Sequence, residues 1–109
     1  MKEMIKYEDF AKLDLVVGKI IFTDKVPNTD KLIKIIVDLG DEERQIVSGI
    51  ADFYSSEELV GKQIIVLKNL ESRKFKGLES NGMLLAADLE GRPVLLRPEE
   101  ELPAGSHVK

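Results

Sequence analysis

The chain has 109 residues and carries 16 Lys and Arg against 20 Asp and Glu, a formal net charge of -4. That length suits one domain that folds without staples, and 43% hydrophobic with 33% charged residues is too apolar for disorder and too charged for a membrane protein. The absence of Cys excludes disulfides, thiolate metal sites and Cys nucleophiles, and MKEMIKYEDF lacks the apolar stretch of a signal peptide, so the expected setting is cytoplasmic.

In chain order, Tyr7–Leu13 reads as a short helical turn leading into the first strand. The apolar runs that follow are short, β-branched and bounded by turn residues, which is the signature of strands. They predict strands over Leu13–Thr23, Leu32–Leu39, Arg44–Gly49, Gln63–Lys68, Gly82–Ala87 and Pro93–Leu96. Gly18 interrupts the first run and predicts a bulge or tight bend there. Pro27-Asn28-Thr29-Asp30 predicts a turn, Gly40-Asp41-Glu42-Glu43 a hairpin connection, and Leu89-Glu90-Gly91-Arg92 a second one. Ser55 and Glu58 stand at capping-box spacing, so a short helix is expected from Ser56, stopped by Gly61.

Strand–strand–strand–helix–strand–strand is the order of an OB-fold, an all-β five-stranded Greek-key barrel. Another small barrel, or an open sandwich with a helical plug, is the second possibility. On the first reading residues 10–88 form the barrel, and 89–109 add a C-terminal β extension to a single domain spanning 1–109. Such a barrel binds ligands mainly on its middle strands and on the loops joining strands 1–2 and 4–5, here Asp24–Asp30 and Asn69–Asn81. The charge is distributed accordingly. Residues 62–76 hold Lys62, Lys68, Arg73, Lys74 and Lys76 against Glu71 alone, a basic island in an acidic protein. Local charge, not the net value, sets the field that a ligand meets.

Catalysis finds little support. His107 is the one His and is the third residue from the end, so no Ser/His/Asp set is assembled around it. Glu99-Glu100-Glu101 and Asp41-Glu42-Glu43 read as solvated acidic runs without the spacing of a calcium loop, and no glycine-rich phosphate loop is present. No cofactor or metal is expected. Of the aromatics, Phe10, Phe22 and Phe53 are expected in the core, and Phe75, between Lys74 and Lys76, is the one ring placed for stacking. Few free rings beside a basic loop suggest recognition of the backbone shape of a folded RNA.

Five segments carry a family resemblance: Phe10–Ile20, Val26–Leu32, Arg44–Ala51, Glu57–Lys62 and Asn69–Ala87. Together they resemble the tRNA-binding domain found at the C-terminus of many methionyl-tRNA synthetases, in freestanding tRNA-binding proteins and in CsaA-type secretion chaperones. The resemblance implies an OB-fold that dimerises, with the 89–109 extension in the interface, and a tRNA-binding surface on the barrel. It carries binding roles onto Lys31, Ser80 and Met83, with Asn28, Arg73, Lys74 and Lys76 at neighbouring loop positions. The lysines and Arg73 would meet phosphates, Ser80 sugar or backbone oxygens, and Met83 an exposed base or ribose. The function so implied is non-catalytic, shape-directed tRNA binding, as the C-terminal domain or beta subunit of methionyl-tRNA synthetase. Its partners would be tRNA, the synthetase catalytic chain and a second copy of itself. A CsaA-like chaperone that binds unfolded preproteins is the alternative.

Overall fold

A computed structural model describes residues 1–109. Helix α1 (Tyr7–Phe10) leads into the long strand β1 (Leu15–Lys25), followed by β2 (Ile33–Asp38) and β3 (Glu43–Ser48). Helix α2 (Ser56–Leu59) precedes β4 (Gln63–Leu67), and β5 (Arg73–Phe75) and β6 (Leu78–Ser80) form a small hairpin. Then come β7 (Met83–Leu84), β8 (Ala86–Leu89), β9 (Arg92–Leu95) and β10 (His107–Val108). The main sheet runs β3-β2-β1-β4-β7, every neighbouring pair antiparallel. It curls into a nearly closed barrel, the all-β OB-like architecture expected from the strand order.

The length of β1 makes the curl possible. Its first half, Leu15–Lys19, pairs with β4, and its second half, Lys19–Lys25, pairs with β2. Gly18 lies near the crossover of the two halves, but the register shift falls between Ile20 and Phe22, so the bulge expected at Gly18 sits two to four residues later. The glycine is needed for a different reason. A Cβ there would collide with the Val37 side chain and lie 2.8 Å from Leu39 Cδ2. The bulge in turn explains a second departure from expectation. Ile20 points into the core, but Ile21 and Phe22 are both exposed, because the extra residue breaks the in–out alternation. Phe22 therefore covers the outer face, with Lys34 Nζ 5.6 Å above its ring. Phe53, also expected inside, is exposed on the turn before α2.

Strand β2 alternates buried Ile33, Ile35 and Val37 with half-buried Lys34, Ile36 and Asp38, the pattern of a strand with one face in a core. With Ile20, Ile46, Ile64 and Val66 these side chains fill the barrel, each contributing about 1.5–3 kcal/mol by leaving water. Helix α2 stops one end. Ser55 caps it as its spacing predicts: Ser55 Oγ accepts the Glu58 N–H, and Glu58 returns its carboxylate to the Ser55 N–H. Leu59, fully buried, is the side chain this turn delivers to the core.

The C-terminal segment supplies the expected β extension and then adds a return to the barrel. β8 and β9 do form an exposed ribbon beyond the main sheet, but the chain then returns. β2 leaves the first residues of β1 without a partner on that edge, and β10 fills the gap, with Leu15 opposite Val108 and Val16 opposite His107. Gln63 secures the return path, its Oε1 accepting the Leu102 N–H at 3.0 Å while its Nε2 donates to the Leu102 carbonyl. His107 is thus a strand residue on the barrel edge, 3.9 Å from the Asp14 carboxylate.

Candidate nucleic-acid interface

The basic stretch expected as a loop contains the β5–β6 hairpin. Its two-residue turn is Lys76-Gly77, both at positive φ (51° and 82°), the geometry that matches the twist of antiparallel strands. Glycine tolerates this at no cost, whereas Lys76 is held there by the turn. The alternation of a strand then sorts the charges. Arg73 and Phe75 share one face of β5, Arg73 opposite Ser80 and Phe75 opposite Leu78. Lys74 projects from the other face, opposite Glu79, and Lys76 sits at the tip.

On the inner side of the hairpin lies a groove of about 460 Å³, lined by Leu32, Ile50, Arg73, Phe75, Met83 and Pro93 among others. The Arg73 guanidinium is stacked over the Phe75 ring, with Cζ 5.2 Å from the centroid. Met83 at the start of β7 is half-buried in the groove wall. Lys31 precedes the groove residue Leu32 and is exposed; its carbonyl accepts the Ala51 N–H at 3.0 Å, which fixes the loop backbone. Five depressions mark the surface, and this is the one without an Asp or Glu in its lining. The Glu99–Glu101 run lines a separate polar depression with Lys19, Gln63 and Arg97, sharing no residue with the groove.

Of the seven residues singled out from the sequence, Arg73 and Met83 are therefore brought together, and Lys31 adjoins them through Leu32. Asn28, exposed at φ 63° in the β1–β2 turn, lines no part of the groove. Lys74 and Lys76 extend the positive charge to the far face and tip of the hairpin. Ser80 is placed differently from the other six. It is 1% exposed, and its hydroxyl accepts the Val47 N–H at 3.0 Å. In this position the hydroxyl helps to close the barrel, and a contact to RNA sugar or backbone would compete with that bond.

One functional group escaped the sequence reading. Arg44 on β3 donates from Nη1 to the carbonyls of Lys68 (3.0 Å) and Asn81 (3.5 Å), the two residues that bracket the hairpin segment. Its Nε donates to Glu42, whose other carboxylate oxygen lies 3.3 Å from Lys68 Nζ. The hydrogen bond from Arg44 holds the Glu42 carboxyl below the ordinary carboxylate range, burial opposing and Lys68 assisting. An Arg facing two carbonyls from residues 13 apart in sequence leaves no local pattern that a sequence reading could detect.

An OB-type barrel whose one carboxylate-free groove is bordered by cations defines the class of the molecule. The tRNA binding domain family matches residues 15–107, and the chain belongs to that family. The methionine–tRNA ligase of Archaeoglobus fulgidus is 54% identical over 107 residues, covering 98% of this chain and 16% of that enzyme. The chain thus spans about one sixth of the length of the curated relatives it matches. Among solved structures, the MetRS related protein from Pyrococcus horikoshii superposes with a TM-score of 0.93 at 45% identity, covering 99% of this chain and 100% of that one. The CsaA chaperone from Bacillus anthracis gives 0.89 at 30% identity, covering 98% and 100%.

Proposed function

We propose that this chain is a non-catalytic tRNA-binding domain that serves methionyl-tRNA synthetase, as its C-terminal domain or as a beta subunit, in the cytoplasm. The observation that carries the reading is the groove beside the β5–β6 hairpin, free of carboxylates in a protein of net charge -4. Asn28, Lys31, Arg73, Lys74, Lys76 and Met83, in and around that groove and on the adjoining loops, are the proposed tRNA contacts of the chain. Ser80 supports the wall behind them. The domain contributes no chemistry of its own and needs no cofactor. Linked to the catalytic chain, it converts a second tRNA contact into an intramolecular one and so raises affinity through effective concentration.

A homodimer belongs to the same proposal. β8 is exposed along its whole length, and Leu89, Val94 and Leu96 stand in solvent on and beside the β8–β9 ribbon. An isolated two-stranded ribbon is marginal in water, and a symmetric copy covers it economically. Light scattering should give twice the chain mass.

The apolar floor of the groove and the likeness to CsaA favour a second reading, capture of unfolded polypeptide. Electrophoretic mobility shift with total tRNA, set against binding of a permanently unfolded protein, decides between them. tRNA binding that weakens steeply with salt supports the first reading; unfolded-chain binding indifferent to salt supports the second.

A further inference from the structure

We infer that the groove between β3, β7 and the β5–β6 hairpin is a subsite for a single unpaired nucleobase, with Phe75 as its stacking surface and Arg73 as the partner of the adjoining phosphate. The inference rests on the tRNA-binding reading and adds to it a ligand group, a location and two roles.

The chemistry of the walls selects the occupant. Leu32, Ile50, Met83 and Pro93 offer a floor that favours an apolar body. Phe75 offers a π face, and the Arg73 guanidinium lies over its ring at a cation–π distance. The rim supplies positive charge from Arg73 and, through the neighbouring chain, Lys31 and Lys76, with no carboxylate in the lining. A flat apolar group joined to a negative charge satisfies floor and rim together, and a nucleotide is such a ligand. An apolar peptide side chain satisfies the floor alone and leaves the cations without partners.

The same geometry limits the subsite to one base. Phe75 is the sole ring in the groove lining. Tyr54, which packs against the core cluster, has its hydroxyl committed to β9, accepting from the Leu95 N–H at 3.2 Å and donating to the Pro93 carbonyl at 3.3 Å. A row of stacked bases therefore finds no second platform within the groove. A folded RNA that holds one base unstacked beside a fixed set of phosphates meets both requirements, and a continuous duplex meets only the phosphate requirement.

The chain has no Trp, so Phe75→Trp creates a unique fluorescent reporter in the groove. Titration of this variant with tRNA should quench its emission, whereas a blunt RNA duplex at saturating concentration should leave it near the free value. In parallel, Phe75→Leu keeps an apolar side chain but removes the ring. It should bind tRNA roughly 5- to 100-fold more weakly, with the salt slope unchanged because no phosphate contact is lost, and Phe75→Trp should restore affinity. The subsite is refuted if tRNA binds the Trp variant without quenching, if the duplex quenches equally, or if Phe75→Leu binds as wild type. Those outcomes leave the tRNA reading standing. Failure of the unmodified protein to bind tRNA at all removes both.

Discussion

The Ser80 hydroxyl accepts the backbone N–H of Val47 at 3.0 Å, inside the barrel, where strand pairing has run out. Around it, Asn81 donates its N–H to Gln45 O at 2.8 Å and Gln45 Nε2 donates to Glu79 O at 2.9 Å. Side chains and loop amides complete the barrel between β3 and the β6–β7 segment. That seam also sets the distance between the groove floor and the hairpin that carries Arg73 and Phe75. The fold and the proposed binding surface therefore meet at one hydroxyl.

Ser80→Ala leaves a buried N–H without a partner, at a cost of about 1–3 kcal/mol. A melting temperature lowered by several degrees is the expected result, visible by calorimetry. Affinity for tRNA, measured well below the transition, should stay close to wild type. Lost affinity at unchanged melting temperature would instead place the hydroxyl on the RNA.

Arg44 ties the two ends of the hairpin segment, and Glu42 holds Arg44 in place. Arg44→Gln should speed amide exchange in β5 and β6 while leaving β1 and β2 protected. The Glu42 carboxyl is depressed in the folded state, so its stabilising contribution is complete above the ordinary carboxylate range and is lost as pH falls through the depressed value. The stability gap between wild type and Glu42→Gln, followed by urea denaturation, should therefore be full at neutral pH and close in strong acid. A gap independent of pH would contradict the ion-pair account.

The sorting of charges by strand alternation makes a distinction among the basic residues. Arg73 is on the groove side, and Lys74 is opposite Glu79 on the other face. Arg73→Gln should lower the salt slope of tRNA binding by roughly 0.7–0.9, the value of one phosphate contact. Lys74→Gln should change it less, since Glu79 already offsets that charge. Equal effects at the two positions would mean that RNA wraps both faces of the hairpin.

Much of this was legible in the sequence, for identifiable reasons. β2 announces itself because Ile33, Ile35, Ile36 and Val37 make a short β-branched run bounded by turn residues, and Ser55–Glu58 announces α2 because a capping box is local. The β5–β6 hairpin was hidden by its composition. Arg73-Lys74-Phe75 and Leu78-Glu79-Ser80 are too short and too charged to read as strands, although the Lys-Gly turn between them was a usable signal. β10 is two residues long and exists only because β1 left an edge unpaired, a tertiary cause without a local pattern. The exposure of Phe22 followed from a bulge displaced from Gly18, and one residue of slip reverses which face a side chain takes. For the site, the basic island pointed to Arg73 and the family resemblance to Lys31 and Met83, whereas the burial of Ser80 and the clamp of Arg44 depend on residues 33 and 24 or more positions away.

The central claim, that rigid cations beside one groove recognise the shape of folded tRNA, is tested most directly by competition at near-physiological salt. Labelled tRNA bound to the protein is challenged with unlabelled tRNA and with an unstructured RNA of the same length. A fixed set of donors matches a prefolded array of phosphates without an ordering cost, so native tRNA should displace the label at much lower concentration than the unstructured strand. Equal displacement by the two RNAs would contradict shape recognition.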